Sequence, residues 1–238
     1  MTILAILPLG LLAGWLVNYL SDVLPATRRF SRPACPHCGA EFSAADYLLL
    51  NACRSCRKPR AWRAYLTQAI LFAGTIYVWL LPPKSLNFWL AYLLLVYLAL
   101  VFVIDLEHRL ILHPVSLAGA ALGLVVGIQV HGLQIALLGG AVGFGAMLAA
   151  YFLGEWYVRL KKVDDVALGF GDVNLSGVIG LMLGWPLILF GLLVAILLGG
   201  VFSALYMGVM MARKQYQAFS AIPYAPFLIL SVIYIFYF

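Results

Sequence analysis

Two aspartates stand beside long apolar runs: Asp105 in Val103-Ile104-Asp105-Leu106-Glu107-His108-Arg109 and Asp172 in Gly169-Phe170-Gly171-Asp172-Val173. A carboxylate at the edge of hydrocarbon is costly, so each reads first as a functional group. Two such groups suggest an acid/base pair. One carboxylate takes a proton from an attacking water while the other, still protonated, donates to a scissile carbonyl, as in an aspartic peptidase. The plain structural reading is that each snorkels into interfacial water. Four cysteines form a second constellation, Cys35-Pro36-His37-Cys38 and Cys53-Arg54-Ser55-Cys56, with a 14-residue spacer. Paired C-x-x-C knuckles supply four thiolates in the tetrahedral arrangement that Zn²⁺ accepts in closed structural sites. Such a site leaves no vacancy for water, so the metal orders the loop and does not catalyse. His37 then reads as a turn residue. A redox pair or an empty reduced site is the competing reading of the same residues.

The elements that position these groups follow from composition. The chain of 238 residues is 65% hydrophobic and only 10% charged, against roughly a quarter charged in ordinary globular domains. This is the composition of an all-α polytopic membrane protein. Apolar segments fall near 2–20, 65–81, 88–104, 114–130, 134–153, 173–183, 187–211 and 223–238, separated by Pro82-Pro83, the Pro114 region, His131-Gly132 and Gly184-Trp185-Pro186. That pattern predicts about eight transmembrane helices. The sixth is short for a span and needs tilt, shielding by neighbours or fusion with the next. The expected organisation is a first transmembrane helix over 1–20, a cytoplasmic four-cysteine zinc-binding insertion over 21–64 resembling a zinc ribbon, and a helical membrane core over 65–238. Met1 to Leu20 lacks a basic leading region and reads as a retained helix, not a cleaved signal.

Charge gives an independent view of topology. Arg28, Arg29, Arg32, Arg54, Arg57, Lys58, Arg60, Arg63, Arg109, Arg159, Lys161, Lys162, Arg213 and Lys214 fall in alternate loops, and only Lys84 lies in the other set. Positive segments resist translocation, so the arginine-rich side is expected to be cytoplasmic and to carry both Asp105 and Asp172. The formal charge of +6 is then a topogenic signal that also suits anionic lipid headgroups, and no nucleic acid is needed to explain it. In a reducing compartment the cysteines are metal ligands before they are disulfides.

Smaller features read as structural. Glu107, His108 and Arg109 read as solvated loop charge, and His113 as a helix-entry residue. Asp164 and Asp165 read as solvated loop, Glu155 as an i,i+4 partner of Arg159, and the Gly139–Ala146 stretch as a close helix-packing surface. Gly169 and Gly171 are expected to give the backbone unusual angles and to let a peptide approach Asp172. Gly-Phe-Gly-Asp lacks the Gly-Lys-Ser/Thr ending of a phosphate loop.

Taken in order along the chain, these motifs resemble those of the type IV prepilin peptidases, membrane aspartic peptidases of the GxGD type. Gly14-Trp15-Leu16-Val17-Asn18 with Leu24-Pro25 resembles the family's first-helix exit, and Cys35 to Cys56 its cytoplasmic zinc insertion. Asp105 and the Gly169–Val173 segment match its two catalytic positions, while Ile222-Pro223-Tyr224-Ala225-Pro226-Phe227 resembles its proline-containing last-helix motif. The resemblance implies cleavage of the short basic leader of prepilins or pseudopilins at the cytoplasmic face of a bacterial inner membrane. It also implies substrate contacts near Gly169, Gly171 and Pro223. Asn174 and Tyr224-Ala225 depart from the common pattern. Gln68 stands where bifunctional members place a Glu, which leaves N-methylation with S-adenosylmethionine as a separate question. The alternatives outside this class are a membrane transporter, whose coupling charges usually lie nearer the midplane, and a non-catalytic pilus or secretion assembly subunit.

Overall fold

The computed structural model describes residues 3–161, 169–213 and 223–237. Its elements in chain order are α1 (Ile3–Thr27), α2 (Ala44–Leu48), α3 (Trp62–Leu80), α4 (Phe88–His108), α5 (His113–His131), α6 (Leu133–Lys161), α7 (Phe170–Leu183), α8 (Leu187–Ala212) and α9 (Ala225–Tyr237). Every expected apolar segment corresponds to one helix of 13 residues or more, and α2 is the short exception inside the cysteine loop. Five of the helices, α1, α4, α5, α6 and α8, are long and apolar enough to cross a membrane. Their outward faces carry bare apolar side chains, such as Leu193 and Ile196 on α8, and Leu197 is 59% exposed. Only a lipid environment makes that surface favourable.

The chain forms two compact units. In the first, Met1–Pro83 with Asn87–His108, α1 packs against α3 and both contact α4. Ile6, Ala13, Val17, Leu71 and Ile104 are buried in that unit, and the Tyr92 hydroxyl donates to the Leu9 carbonyl at 2.9 Å. Helix α1 does not stop at residue 20. It runs to Thr27, because Asn18, Ser21 and Asp22, which as bare polar residues would end a span, are each given a partner inside the protein.

In the second unit, Lys84–Leu86 with Arg109–Phe238, α7 packs against α5, α6, α8 and α9. It has only 14 residues, and Val173, Leu175, Ser176, Gly177, Val178, Ile179, Gly180, Met182 and Leu183 are buried. Its shortness is explained by shielding: a helix surrounded by others need not match the bilayer with its own length. Glycines allow that enclosure. A Cβ on Gly180 would land on the Gly139 carbonyl oxygen of α6, and one on Gly143 would sit 2.5 Å from the Ser176 carbonyl oxygen. The expected packing surface on α6 is therefore real, and its partner is α7. Helix α7 ends on Gly184 at φ 68°, whose N–H donates to the Gly180 carbonyl, a left-handed cap that suits glycine.

Candidate active site and cysteine cluster

Asp105 lies in the last turn of α4 and is buried, with 5% exposure, next to buried Val103 and Ile104. Asp172 lies in the first turn of α7, the helix end where the aligned N–H groups stabilise negative charge. Its N–H donates to the Gly169 carbonyl at 3.0 Å. The two carboxylates belong to different compact units.

The glycines before Asp172 act through space and not through backbone angle. Gly169 sits at φ −73°, ψ 134°, ordinary extended backbone, and Gly171 is helical. The expected unusual angles are absent. A Cβ on Gly171 would come 2.8 Å from Cβ of Ile111, and one on Gly169 3.3 Å from Oδ2 of Asp172, so any side chain would crowd the carboxylate or the segment facing it. Pro223 and Tyr224 precede α9, and the Tyr224 phenol lies within electrostatic reach of Asp172. Tyr224 is thus a neighbour of the second aspartate that the sequence motif marked only as a departure. Ile222 of that motif, Asp164, Asp165, Lys162 and Lys214 lie outside the described residues.

The cysteine cluster is built from two copies of one turn. The Cys35 N–H donates to the Ala40 carbonyl at 2.8 Å and the Gly39 N–H to the Cys35 carbonyl at 2.8 Å. Likewise the Cys53 N–H donates to the Lys58 carbonyl at 3.0 Å and the Arg57 N–H to the Cys53 carbonyl at 2.8 Å. Each turn closes on a left-handed residue, Gly39 at φ 73° and Arg57 at φ 56°. All four Sγ atoms lie within 4.8 Å of one another, with Cys35–Cys56 at 3.7 Å and Cys38–Cys53 at 3.6 Å. A tetrahedron with Zn–S bonds of about 2.3 Å has edges of roughly 3.8 Å, so the donor set fits zinc in both chemistry and size. The backbone N–H of Cys56, followed by that of Ser55, holds the Cys53 thiol down at about 6, which keeps a thiolate present near neutral pH. His37 is a turn residue outside the cluster, as expected.

Asp46 braces the same loop. The Ser43 hydroxyl donates to it at 2.6 Å, Arg54 Nε lies at 2.6 Å, and Asn51 Nδ2 donates at 3.3 Å. The Ser43 hydrogen bond first, then Arg54, holds this carboxyl below the usual carboxylate range. A depressed value means stability that is present above the unfolded value and lost as pH falls through the folded one. The gap in loop protease resistance between wild type and Asp46→Asn is therefore expected to be full at neutral pH. It should close as pH drops below about 4; a gap independent of pH would show that the Asp46 charge contributes nothing.

Sequence reasoning missed a third constellation. Asp22 on α1 accepts from the Tyr47 hydroxyl at 2.5 Å and from Arg60 Nη2 at 2.7 Å, and it pairs with Arg63. Arg63 also donates to Ser21 Oγ at 2.6 Å, and its Nε lies 2.7 Å from Glu107 Oε1. Asn18 donates to the Ala64 carbonyl at 3.0 Å. The Arg60 guanidinium lies 4.0 Å from the Tyr47 ring centroid and 5.2 Å from that of Phe42. Burial, followed by the Asp22 charge, raises the Tyr47 hydroxyl above its ordinary value, so it stays a donor. Glu107 is exposed, as its reading as solvated charge expects, but it sits on α4 and not in a loop, and it pairs with Arg63 at the end of this network. Arg60 and Arg63, which counted as topogenic charge, are inside that network. The readable signal was Asn18, Ser21 and Asp22 at i, i+3 and i+4, one polar face on an apolar helix. The Glu155–Arg159 pair forms as expected at 3.4 Å, and His113 opens α5.

A family model described as the type IV leader peptidase family matches residues 91–204. The chain is 29% identical, over an aligned length of 251 residues, to a prepilin leader peptidase/N-methyltransferase of Aeromonas hydrophila, covering 94% of this chain and 81% of that protein. The chain is thus similar to the type IV leader peptidase family over its central helices. It is similar to proteins of the same name from Myxococcus xanthus (strain DK1622), 31% identical over 83% of this chain and 61% of that protein, and from Pectobacterium carotovorum subsp. carotovorum, 26% identical over 76% and 66%. No solved structure gives a significant match. The family match runs from α4 into α8 and so contains Asp105 and Asp172 but not the cysteine loop. The family match and the relatives' names support a membrane peptidase, and no observation favours the transporter or the non-catalytic subunit.

Proposed function

We propose that this chain is a member of that family and removes the short basic leader of type IV prepilins or pseudopilins at the cytoplasmic face of a bacterial inner membrane, with Asp105 and Asp172 as the catalytic pair. The observation that carries the reading is that the family match contains both aspartate motifs, each at a helix end. One carboxylate takes a proton from water, whose oxygen bonds to the scissile carbonyl carbon. The other gives its proton to the carbonyl oxygen, and the tetrahedral diol then collapses. The C–N bond breaks, the proton held by the first carboxylate passes to the leaving amine, and the second recovers its proton from the diol. One proton must reside on the pair throughout, because two carboxylate charges in a poorly solvated site repel.

The substrate lies as a membrane helix against the peptidase with its leader at the interface. Gly169, Gly171 and Pro223 are the proposed substrate-contacting positions: Gly169 leaves the Asp172 carboxylate uncrowded, whereas Gly171 lets Ile111 pack close beside it. Cys35, Cys38, Cys53 and Cys56 hold a structural zinc ion that fixes the loop. Methyl transfer from S-adenosylmethionine is a second activity that the relatives' names include. In this chain Gln68 donates its amide to the Leu11 carbonyl at 3.1 Å and offers no carboxylate there.

The test is cleavage of a purified prepilin by the detergent-solubilised, zinc-loaded chain, with the cut located by intact mass. Loss of one defined leader is expected, and an added methyl mass on the product would reveal the second activity. Failure of folded protein to cut any of several prepilins would overturn the reading.

A further inference from the structure

The ion-pair network crosses the first unit from the cysteine loop to the helix that carries Asp105. Tyr47 and Phe42 of the loop pack on the Arg60 guanidinium, and both Tyr47 and Arg60 bond to Asp22 of α1. Asp22 also pairs with Arg63 at the start of α3, and Arg63 Nε reaches Glu107 Oε1 at 2.7 Å. The Arg60 and Arg63 side chains are only 6% and 16% exposed. The Glu107 side chain, at 33% exposure, is the solvent-facing end of these contacts, so losing its charge costs little stability while the more buried Asp22 pairs stay in place. Glu107 lies in the last turn of α4, two residues beyond Asp105. Two residues along a helix correspond to a rotation of about 200°, so Glu107 points away from the Asp105 side chain and does not share its chemistry. The last turn of a helix lacks part of its hydrogen bonding and frays unless something holds it. Arg63 holds this one.

We infer that Arg63 and Glu107 are positioning residues that transmit the order of the cysteine loop to the last turn of α4 and so fix Asp105 for catalysis. The inference rests on the catalytic role proposed for Asp105. The competing role for Glu107, attraction of the substrate's basic leader, predicts a different kinetic signature. A lost leader contact weakens binding and raises KM, whereas a misplaced carboxylate lowers kcat.

Glu107→Gln keeps the size of the side chain and leaves the Asp22 clamp with Arg60 and Arg63 in place. It is expected to retain zinc and the wild-type thermal transition, to lower kcat for prepilin cleavage about 10- to 100-fold, and to leave KM within about twofold. Hydrogen exchange should quicken at the amides of Leu106–His108. Removing zinc from wild type with a chelator should quicken the same amides and lower kcat. In Glu107→Gln the same removal should add no further loss of kcat, because the link is already cut. Glu107→Asp, one carbon shorter, should fall between and serves if Glu107→Gln does not fold.

Unchanged kcat in folded Glu107→Gln, a rise in KM alone, or losses from zinc removal and Glu107→Gln that multiply would each overturn the coupling. If wild type cuts no prepilin, the catalytic reading fails on its own. Hydrogen exchange then still decides whether the loop and the end of α4 are linked.

Discussion

Asp105→Asn and Asp172→Asn are each expected to reduce prepilin cleavage by at least about 10³-fold, while zinc content and the thermal transition stay near wild type. The size follows from what each residue is asked to supply: positioned proton transfer alone is worth about 10² to 10⁴ in rate. In a dyad, loss of either member also strands the proton of the other. The two substitutions should therefore be non-additive, and the double variant should be scarcely slower than either single one. Asparagine fills nearly the same volume as aspartate, so the buried site at Asp105 and the first turn of α7 at Asp172 keep their packing. Wild-type turnover should follow a bell-shaped pH profile whose two limbs belong to the pair and not to either residue. Single-turnover cleavage with intact-mass detection measures the loss. A folded variant of either aspartate with normal turnover would remove it from the chemistry, and a ten-fold effect would demote it to a neighbour of the true site.

Much of the fold is legible in the residues alone, because hydropathy acts over long windows and is hard to disguise. The eight apolar segments correspond to eight helices, and the short sixth segment is α7, enclosed by neighbours that glycine lets come close. The cysteine knuckles are readable because ligand spacing is a local property, closed within six residues by Gly39 in one copy and Arg57 in the other. The failures share a cause. Asp22 looks like the end of a helix, Arg60 and Arg63 like topogenic charge, and Glu107 like loop charge. Each is a residue whose meaning depends on a partner 38 or more positions away, in pairs such as Arg60–Asp22 and Arg63–Glu107. Local pattern cannot reveal such a pair. Gly169 and Gly171 fail differently: glycine in a sequence says that a side chain is unwanted but not whether angle or space forbids it, and here space does.

The cysteine loop gives the second large effect, since the purified chain should carry one zinc ion per molecule and lose the fold of the loop when it is removed. The loop has few other means of staying ordered. Among the described residues between α1 and α3 there is one five-residue helix and one isolated β-bridge, Ala34 to Glu41, and the buried side chains there include Cys35, Cys53 and Tyr47. A segment of that size cannot bury enough apolar surface to offset its own chain entropy. A four-thiolate zinc site contributes about 10–16 kcal/mol of apparent binding free energy, which becomes folding free energy when the site forms only in the folded loop. Cys53→Ser, or a strong chelator, is therefore expected to make the segment between residues 28 and 61 rapidly cleavable by added protease while the membrane helices remain protected. The sulfur separations of 3.6 and 3.7 Å suit a shared cation and are far beyond the roughly 2.05 Å of a disulfide. Alkylation after anaerobic denaturation should accordingly label four thiols. Recovery of two disulfides in protein purified under reducing conditions would favour the redox reading. A metal-free loop as protease-resistant as the wild type would show that the hydrogen bonds around Asp46 and Asp22 suffice without the ion.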